Sequence, residues 1–120
     1  FHKYIPEWAD DNFSLRYALK IPKEDIWKAH QKEKAELLKF VQRKTGAALD
    51  QDCFTIGFAR RAATYKRADL VLSDLSRLKK IVSDSGPIQI IFAGKAHPND
   101  LPGKELIQKI FFAKNELKEL

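Results

Sequence analysis

The sequence predicts an α/β fold, in which strand, crossover helix, strand and closing helix form a βαβα unit behind a long lead-in helix. Three observations predict it. Two apolar runs of strand length, about Cys53 to Ala59 and Ile88 to Ala93, are interrupted in polarity only by Thr55 and Gln89, as suits strands of a parallel sheet covered on both faces. Between them Ala68, Val71, Leu75, Leu78 and Val82 step by three and four, the spacing of one helix face. At the outlet of the first run, four cations fall within eight positions: Arg60, Arg61, Lys66 and Arg67.

Taken in order, Phe1 to Ile21 scatters Phe1, Tyr4, Trp8, Phe13 and Tyr17 through a polar stretch without a steady period, which predicts a packed connector with at most a helical turn. Pro22 is placed to open a helix. Glu24 and Asp25 favour its positive end, Ile26, Trp27, His30, Lys34, Leu37, Leu38 and Val41 recur at helical spacing, and Gly46 is its stop. Ala47 to Asp52 reads as a loop. The crossover helix is expected to begin almost directly after the cations and to end at Ser83 to Gly86. Leu101-Pro102-Gly103 leads into a last helix with Leu106, Ile107, Ile110 and Phe111 on one face. Gly57, inside the first strand, is expected to admit a closely packed helix.

A chain of 120 residues suits one compact domain or a piece of a larger one. No run approaches the ~20 apolar residues of a membrane span, and the first twenty residues lack a signal-peptide pattern, so a cytoplasmic placement is expected. Cys53, the sole cysteine, permits no internal disulfide and reads as a small buried filler. The net charge of +6 is spread over alternating Lys and Glu, as in Lys32-Glu33-Lys34, and describes mostly a solvated surface. With no methionine, an opening on Phe1 and an end at Leu120 within a helical pattern, the chain is expected to be part of a longer polypeptide.

Parallel strands release their following loops at one edge, where open α/β sheets bind ligands. The Arg60 to Arg67 segment and the Lys95 to His97 loop should therefore lie side by side. Arg60, Arg61 and Lys66 pair planar guanidinium with ammonium, a combination suited to a phosphate, and a helix start would add backbone N–H donors. The same cluster could be structural ion pairs with acidic neighbours. Tyr65 is either a core aromatic or a hydroxyl offered to a sugar, Arg67 reads as a surface cation, and Lys95 with His97 serves either a ligand or the packing of its own loop. His2, His30 and Cys53 have no metal-ligand spacing, so no metal is expected. The dinucleotide fingerprint is missing, and no Ser-His-Asp or Cys-His nucleophile pattern is present.

The stretches Thr55-Ile56-Gly57-Phe58-Ala59-Arg60-Arg61 and Ala63-Thr64-Tyr65-Lys66-Arg67-Ala68 resemble the start of the C-terminal domain of α-glucan (glycogen/maltodextrin) phosphorylases, especially the bacterial and archaeal branch. Ile90 to Pro98 (IIFAGKAHP) with Pro102-Gly103-Lys104-Glu105-Leu106-Ile107 resembles the family's next block, and Ile21-Pro22 through Ala29-His30 its lead-in helix. Ala62 departs from the pattern, standing where this branch usually carries phenylalanine. The resemblance implies a two-Rossmann-domain (GT-B) glycosyltransferase, with 1–52 as interdomain connector and lead-in helix and 53–120 as the first, incomplete part of the C-terminal Rossmann-like domain. It implies inorganic phosphate and an α-1,4-glucan as substrates, glucose 1-phosphate as product, and pyridoxal phosphate as a cofactor whose Schiff-base lysine lies outside this chain. By motif position Arg61 and Lys66 match the residues that hold the substrate phosphate, Arg60 faces the cofactor phosphate, and Tyr65 lines the glucosyl site. The chain alone is expected to be inactive, with open sheet edges that permit self-association. Two rivals stand beside this reading: a piece of a sugar-nucleotide-dependent glucan synthase, and a basic non-catalytic module binding nucleic acid, against which interleaved acids and the lack of stacking aromatics in a basic groove argue.

Overall fold

The computed structural model describes residues 1–117, so the expectation at Leu120 lies outside the described residues. The chain divides into two compact units between Gln51 and Asp52.

In the first unit, short 3-10 turns over Pro6–Ala9 and Asn12–Lys20 replace the irregular connector, and helix α1 spans Lys23–Thr45. Pro22 caps its start, Glu24 and Asp25 occupy the first turn, and Arg43 and Lys44 the last, each charge matched to the helix dipole. Gly46 ends it in the left-handed conformation, φ 71°, with its N–H donated to the carbonyl of Gln42 at 2.8 Å. Asp25 accepts from Lys3 Nζ at 2.8 Å and from the Tyr4 hydroxyl, which ties the N-terminal turn to the helix. The Lys3 bond, then the Tyr4 bond, hold the Asp25 carboxyl below its ordinary value. Ile5 is the most enclosed side chain, whereas on α1 only Leu38 is buried and Ile26, Trp27, Leu37 and Phe40 are exposed.

The second unit is built on two parallel strands, β1 (Phe54–Ala59) and β2 (Ile88–Ala93), paired without offset from Phe54 opposite Ile88 to Ala59 opposite Ala93. This register places the one polar residue of each apolar run beside the other. Gln89 Nε2 donates to Thr55 Oγ1 at 2.7 Å, so neither interrupts the sheet at the expense of an unmet polar group. Three pairs further along, Phe58 meets Phe92 with ring centroids 6.3 Å apart. At the base, the Cys53 thiol is buried and donates to the carbonyl of Pro87 at 3.2 Å.

Helix α2 (Leu75–Ser85) starts later than the periodicity suggests. Residues 64–66 and 70–72 form separate 3-10 turns, joined through Arg67, the one non-glycine residue with positive φ (54°) among those described. Holding Arg67 there costs roughly 1 kcal/mol. Asp74 then caps α2 by accepting from the Arg77 N–H at 2.8 Å. Coverage of the sheet also differs from expectation. No residue of β1 or β2 is fully buried, because a two-stranded ribbon has more face than the helices of this unit cover. The core comprises Cys53, Ala62, Ala68, Leu78, Leu106 and Ala113. Helix α3 (Leu101–Glu116) is capped by Asp100, whose Oδ1 accepts from the Gly103 N–H at 2.9 Å. It buries Leu106 and Ala113, whereas Phe111, expected on its inner face, is 63% exposed.

Close backbone approach falls at other glycines than the one expected. A Cβ on Gly57 would meet nothing within 4 Å, whereas one on Gly103 would lie 2.5 Å from the Ala62 carbonyl oxygen. The first turn of α3 therefore rests on the loop after β1, with buried Ala62 beneath it. Gly103→Ala is expected to lower stability by about 1–3 kcal/mol through overpacking, and Gly57→Ala by less than about 1 kcal/mol, as read from denaturant midpoints.

Candidate functional site

Parallel pairing does not stop at the strand ends. The Arg60 N–H donates to the Ala93 carbonyl and the Ala62 N–H to the Lys95 carbonyl, both at 3.0 Å, so the two outgoing loops continue the ladder. Between them Gly94 takes φ 155°, and a Cβ there would overlap the Arg60 carbonyl. No other residue admits so close a crossing. Sequence reasoning assigned Gly94 no such contact. A glycine directly after a strand, beside a cation loop, was the signal for this contact.

The zipped loops border an open cleft of about 650 Å³, lined by 59–61 on one side and 93–98 on the other. Arg60, Arg61, Lys95 and His97 all contribute to it. Its remaining lining consists of alanines, Gly94 and Pro98, so most of the surface facing the cleft is apolar. The convergence argued from parallel direction is thus present in the geometry.

Tyr65 and Lys66 do not line the cleft but join it through Arg61. Lys66 Nζ lies 4.7 Å from the centre of the Tyr65 ring. Hydrogen bonding to Arg61, followed by the charge of Lys66, holds the Tyr65 phenol below its ordinary value of 10.0. Tyr65 is 67% exposed, which removes the core reading of that residue. Arg61 and Lys66 therefore both lie beside Tyr65.

The structural ion-pair alternative finds no carboxylate here. The ion pairs seen among the described residues, such as Lys3 with Asp25, Lys39 with Glu36 and Lys80 with Asp84, do not involve Arg60, Arg61, Lys66 or Lys95. The helix-dipole part of the expectation is overturned. Only a three-residue turn follows the cation loop, and the N-terminus of α2 is already occupied by the Asp74 carboxylate.

His97 is held by its own loop, as one of its two readings has it. Its Nδ1 accepts the Asn99 N–H at 3.2 Å, which ties the ring to its own loop and leaves Nε2 free at the exposed cleft. Among the described residues no group of three His, Cys, Asp or Glu side chains is placed to hold a metal ion, and no helix is long and apolar enough to cross a membrane.

Two parallel strands with helices between and after them, delivering cationic loops to their common carboxyl edge, define a partial α/β unit. No family model matches the chain. It is 46% identical over 114 residues to a glycogen phosphorylase of Aquifex aeolicus and 46% identical over 105 residues to a maltodextrin phosphorylase of Thermococcus litoralis, matches that cover 79% and 77% of the chain. A glycogen phosphorylase of Mycobacterium tuberculosis is 52% identical over 64 residues, covering 52% of the chain and 7% of that relative. The chain belongs to the glycogen/maltodextrin phosphorylase family, as a segment that spans 16% and 13% of the length of the first two relatives. These names favour the phosphorylase resemblance over the glucan synthase and the nucleic-acid module.

Because the shift lowers the pKa of an acid, any stability it lends develops as pH rises through the folded value of Tyr65, is complete above that of an exposed tyrosine, and is absent near neutrality. Arg61→Ala is expected to move the Tyr65 ionisation upward. Ultraviolet titration of phenolate absorbance, with Tyr65→Phe identifying the contribution of this residue, measures the change.

Proposed function

We propose that this chain supplies the phosphate-gripping edge of an α-1,4-glucan phosphorylase, which uses inorganic phosphate to release glucose 1-phosphate from glucan ends. The observation that carries the reading is the grouping of Arg61 and Lys66 around Tyr65, beside a cleft walled by Arg60 and Arg61, with no carboxylate paired to these cations among the described residues. Family membership supports it. Residues 1–52 would act as connector and lead-in helix, and 53–120 as the first part of a C-terminal Rossmann-like domain of the GT-B type. A cytoplasmic enzyme acting with the remainder of its polypeptide fits this role.

Phosphorolysis needs a phosphate dianion held against the anomeric carbon as the glycosidic bond breaks and positive charge develops there. Arg61 and Lys66 would fix that phosphate, the guanidinium through two directed N–H donors and the ammonium as a point charge. Donors already in place need no reorganisation as the reaction proceeds. Tyr65, exposed beside them, would line the glucosyl site.

The donor set also fits the phosphate end of pyridoxal phosphate, since Arg60 enters the cleft next to Arg61 without a carboxylate partner. Arg60 would hold that group. When bound, the cofactor supplies a second phosphate able to exchange a proton with the substrate's. Two phosphates repel strongly, and the neighbouring guanidinium groups offset that repulsion.

In the full-length enzyme, Arg61→Ala and Lys66→Ala are each expected to lower kcat/KM for phosphorolysis by at least about 100-fold. Arg67→Gly suits the positive φ at that position and leaves the rate within about threefold. Release of glucose 1-phosphate from maltodextrin in phosphate buffer measures both. Undiminished activity in Lys66→Ala would remove the assigned role.

A further inference from the structure

We infer that Gly94 and Gly103 are positioning residues for Arg61: carrying no side chain, they let the Arg60 and Ala62 carbonyls pass and so fix where the guanidinium is rooted. The inference rests on the reading of Arg61 as a phosphate-holding residue and identifies what aims it.

Both peptide units that flank Arg61 are held by the loop after β2. The unit before it packs against Gly94, where a Cβ would lie 2.0 Å from the Arg60 carbonyl oxygen and 3.0 Å from its carbon. The unit after it donates the Ala62 N–H to the Lys95 carbonyl at 3.0 Å. One peptide further on, in the first turn of α3, a Cβ on Gly103 would lie 2.5 Å from the Ala62 carbonyl oxygen. The bond from the Arg60 N–H to the Ala93 carbonyl, at 3.0 Å, completes the clamp upstream.

A side chain at either glycine must move this segment. Cβ atoms essentially never approach a heavy atom within 3.0 Å, so one at Gly94 drives the Arg60 carbonyl outward. Strand β1 cannot share the motion, because it is paired to β2 as far as Ala59. The displacement falls on residues 60–62. At Gly103 the required shift is smaller, and the next atom met is the side-chain Oδ2 of Asp100, at 2.7 Å. Directed guanidinium donors tolerate little of this, since a misplacement of ~1 Å costs on the order of 100-fold in rate. Gly57 lies in the same unit and meets nothing within 4 Å, which makes it the control. Tyr65 reports where Arg61 stands, because hydrogen bonding to Arg61 is the leading cause of its lowered ionisation.

In the full-length enzyme, Gly94→Ala and Gly103→Ala are each expected to raise KM for orthophosphate about tenfold and leave KM for maltodextrin within about twofold. Gly57→Ala should change neither. Phenolate absorbance, taken as the difference from the same variant carrying Tyr65→Phe, should show Tyr65 ionising at higher pH in both glycine variants. In an Arg61→Ala background, Gly103→Ala should alter the orthophosphate KM by less than about twofold, as expected when one residue acts through the other. Far-UV circular dichroism identifies a variant that fails to fold, and if Gly94→Ala does so, the gentler Gly103→Ala decides. An unmoved Tyr65 ionisation in folded Gly103→Ala, or an equal rise in KM for both substrates, overturns the positioning role. Arg61→Ala that leaves the orthophosphate KM unchanged overturns the phosphate reading instead, while a raised Tyr65 ionisation in the glycine variants still upholds the placement of Arg61.

Discussion

In-register parallel pairing of β1 with β2 is the constraint on which the rest depends. Six paired positions bring Ala59 and Ala93 level, and two further backbone bonds carry the alignment beyond the strand ends to Ala62 and Lys95. A slip of one residue would turn Thr55 away from Gln89 and separate Phe58 from Phe92. It would also move Gly94 from beneath the Arg60 carbonyl and set a side chain in its place. The polar pair, the aromatic pair and the glycine crossing all select the same register. The positions of the cations follow from it.

Holding Arg60, Arg61, Lys66 and Lys95 in one region opposes folding modestly, because most of them reach solvent and salt screens charges beyond about 8 Å at physiological ionic strength. A bound anion relieves that opposition. An anion held by exposed side chains, rather than by a helix end, would be bound with an affinity that depends on whatever excludes water from the cleft. The exposed apolar residues elsewhere in the chain, such as Trp27, Phe40 and Phe112, accord with a segment that spans a small share of the length of its relatives.

Much of this arrangement was legible in the residues. The apolar runs located both strands to within a residue, Gly46 marked the end of α1, and parallel direction placed the two loops together. The start of α2 was obscured because Ala68 and Val71 continue the spacing of Leu75, Leu78 and Val82 backward through a segment that is not helical. Asp74, three residues before Arg77, was the overriding signal, since a capping carboxylate fixes where the first turn begins. Burial was less legible than periodicity. Phe111 lies near the inner face by spacing, yet α3 buries the small Ala113 where it packs closely, a choice set by the partner surface and not by the helix itself. The roles of Gly94 and Gly103 depend on which backbone passes nearby, information that no local pattern holds.

The thiol at the foot of the sheet has a consequence of a different kind. With one cysteine and no methionine, the chain contains a single sulfur atom, and it is enclosed beside Pro87 where the two strands begin. An alkylating reagent can reach it only when the strand bases part. The rate of its modification would therefore clock the opening of the sheet directly, with no introduced label and no competing site.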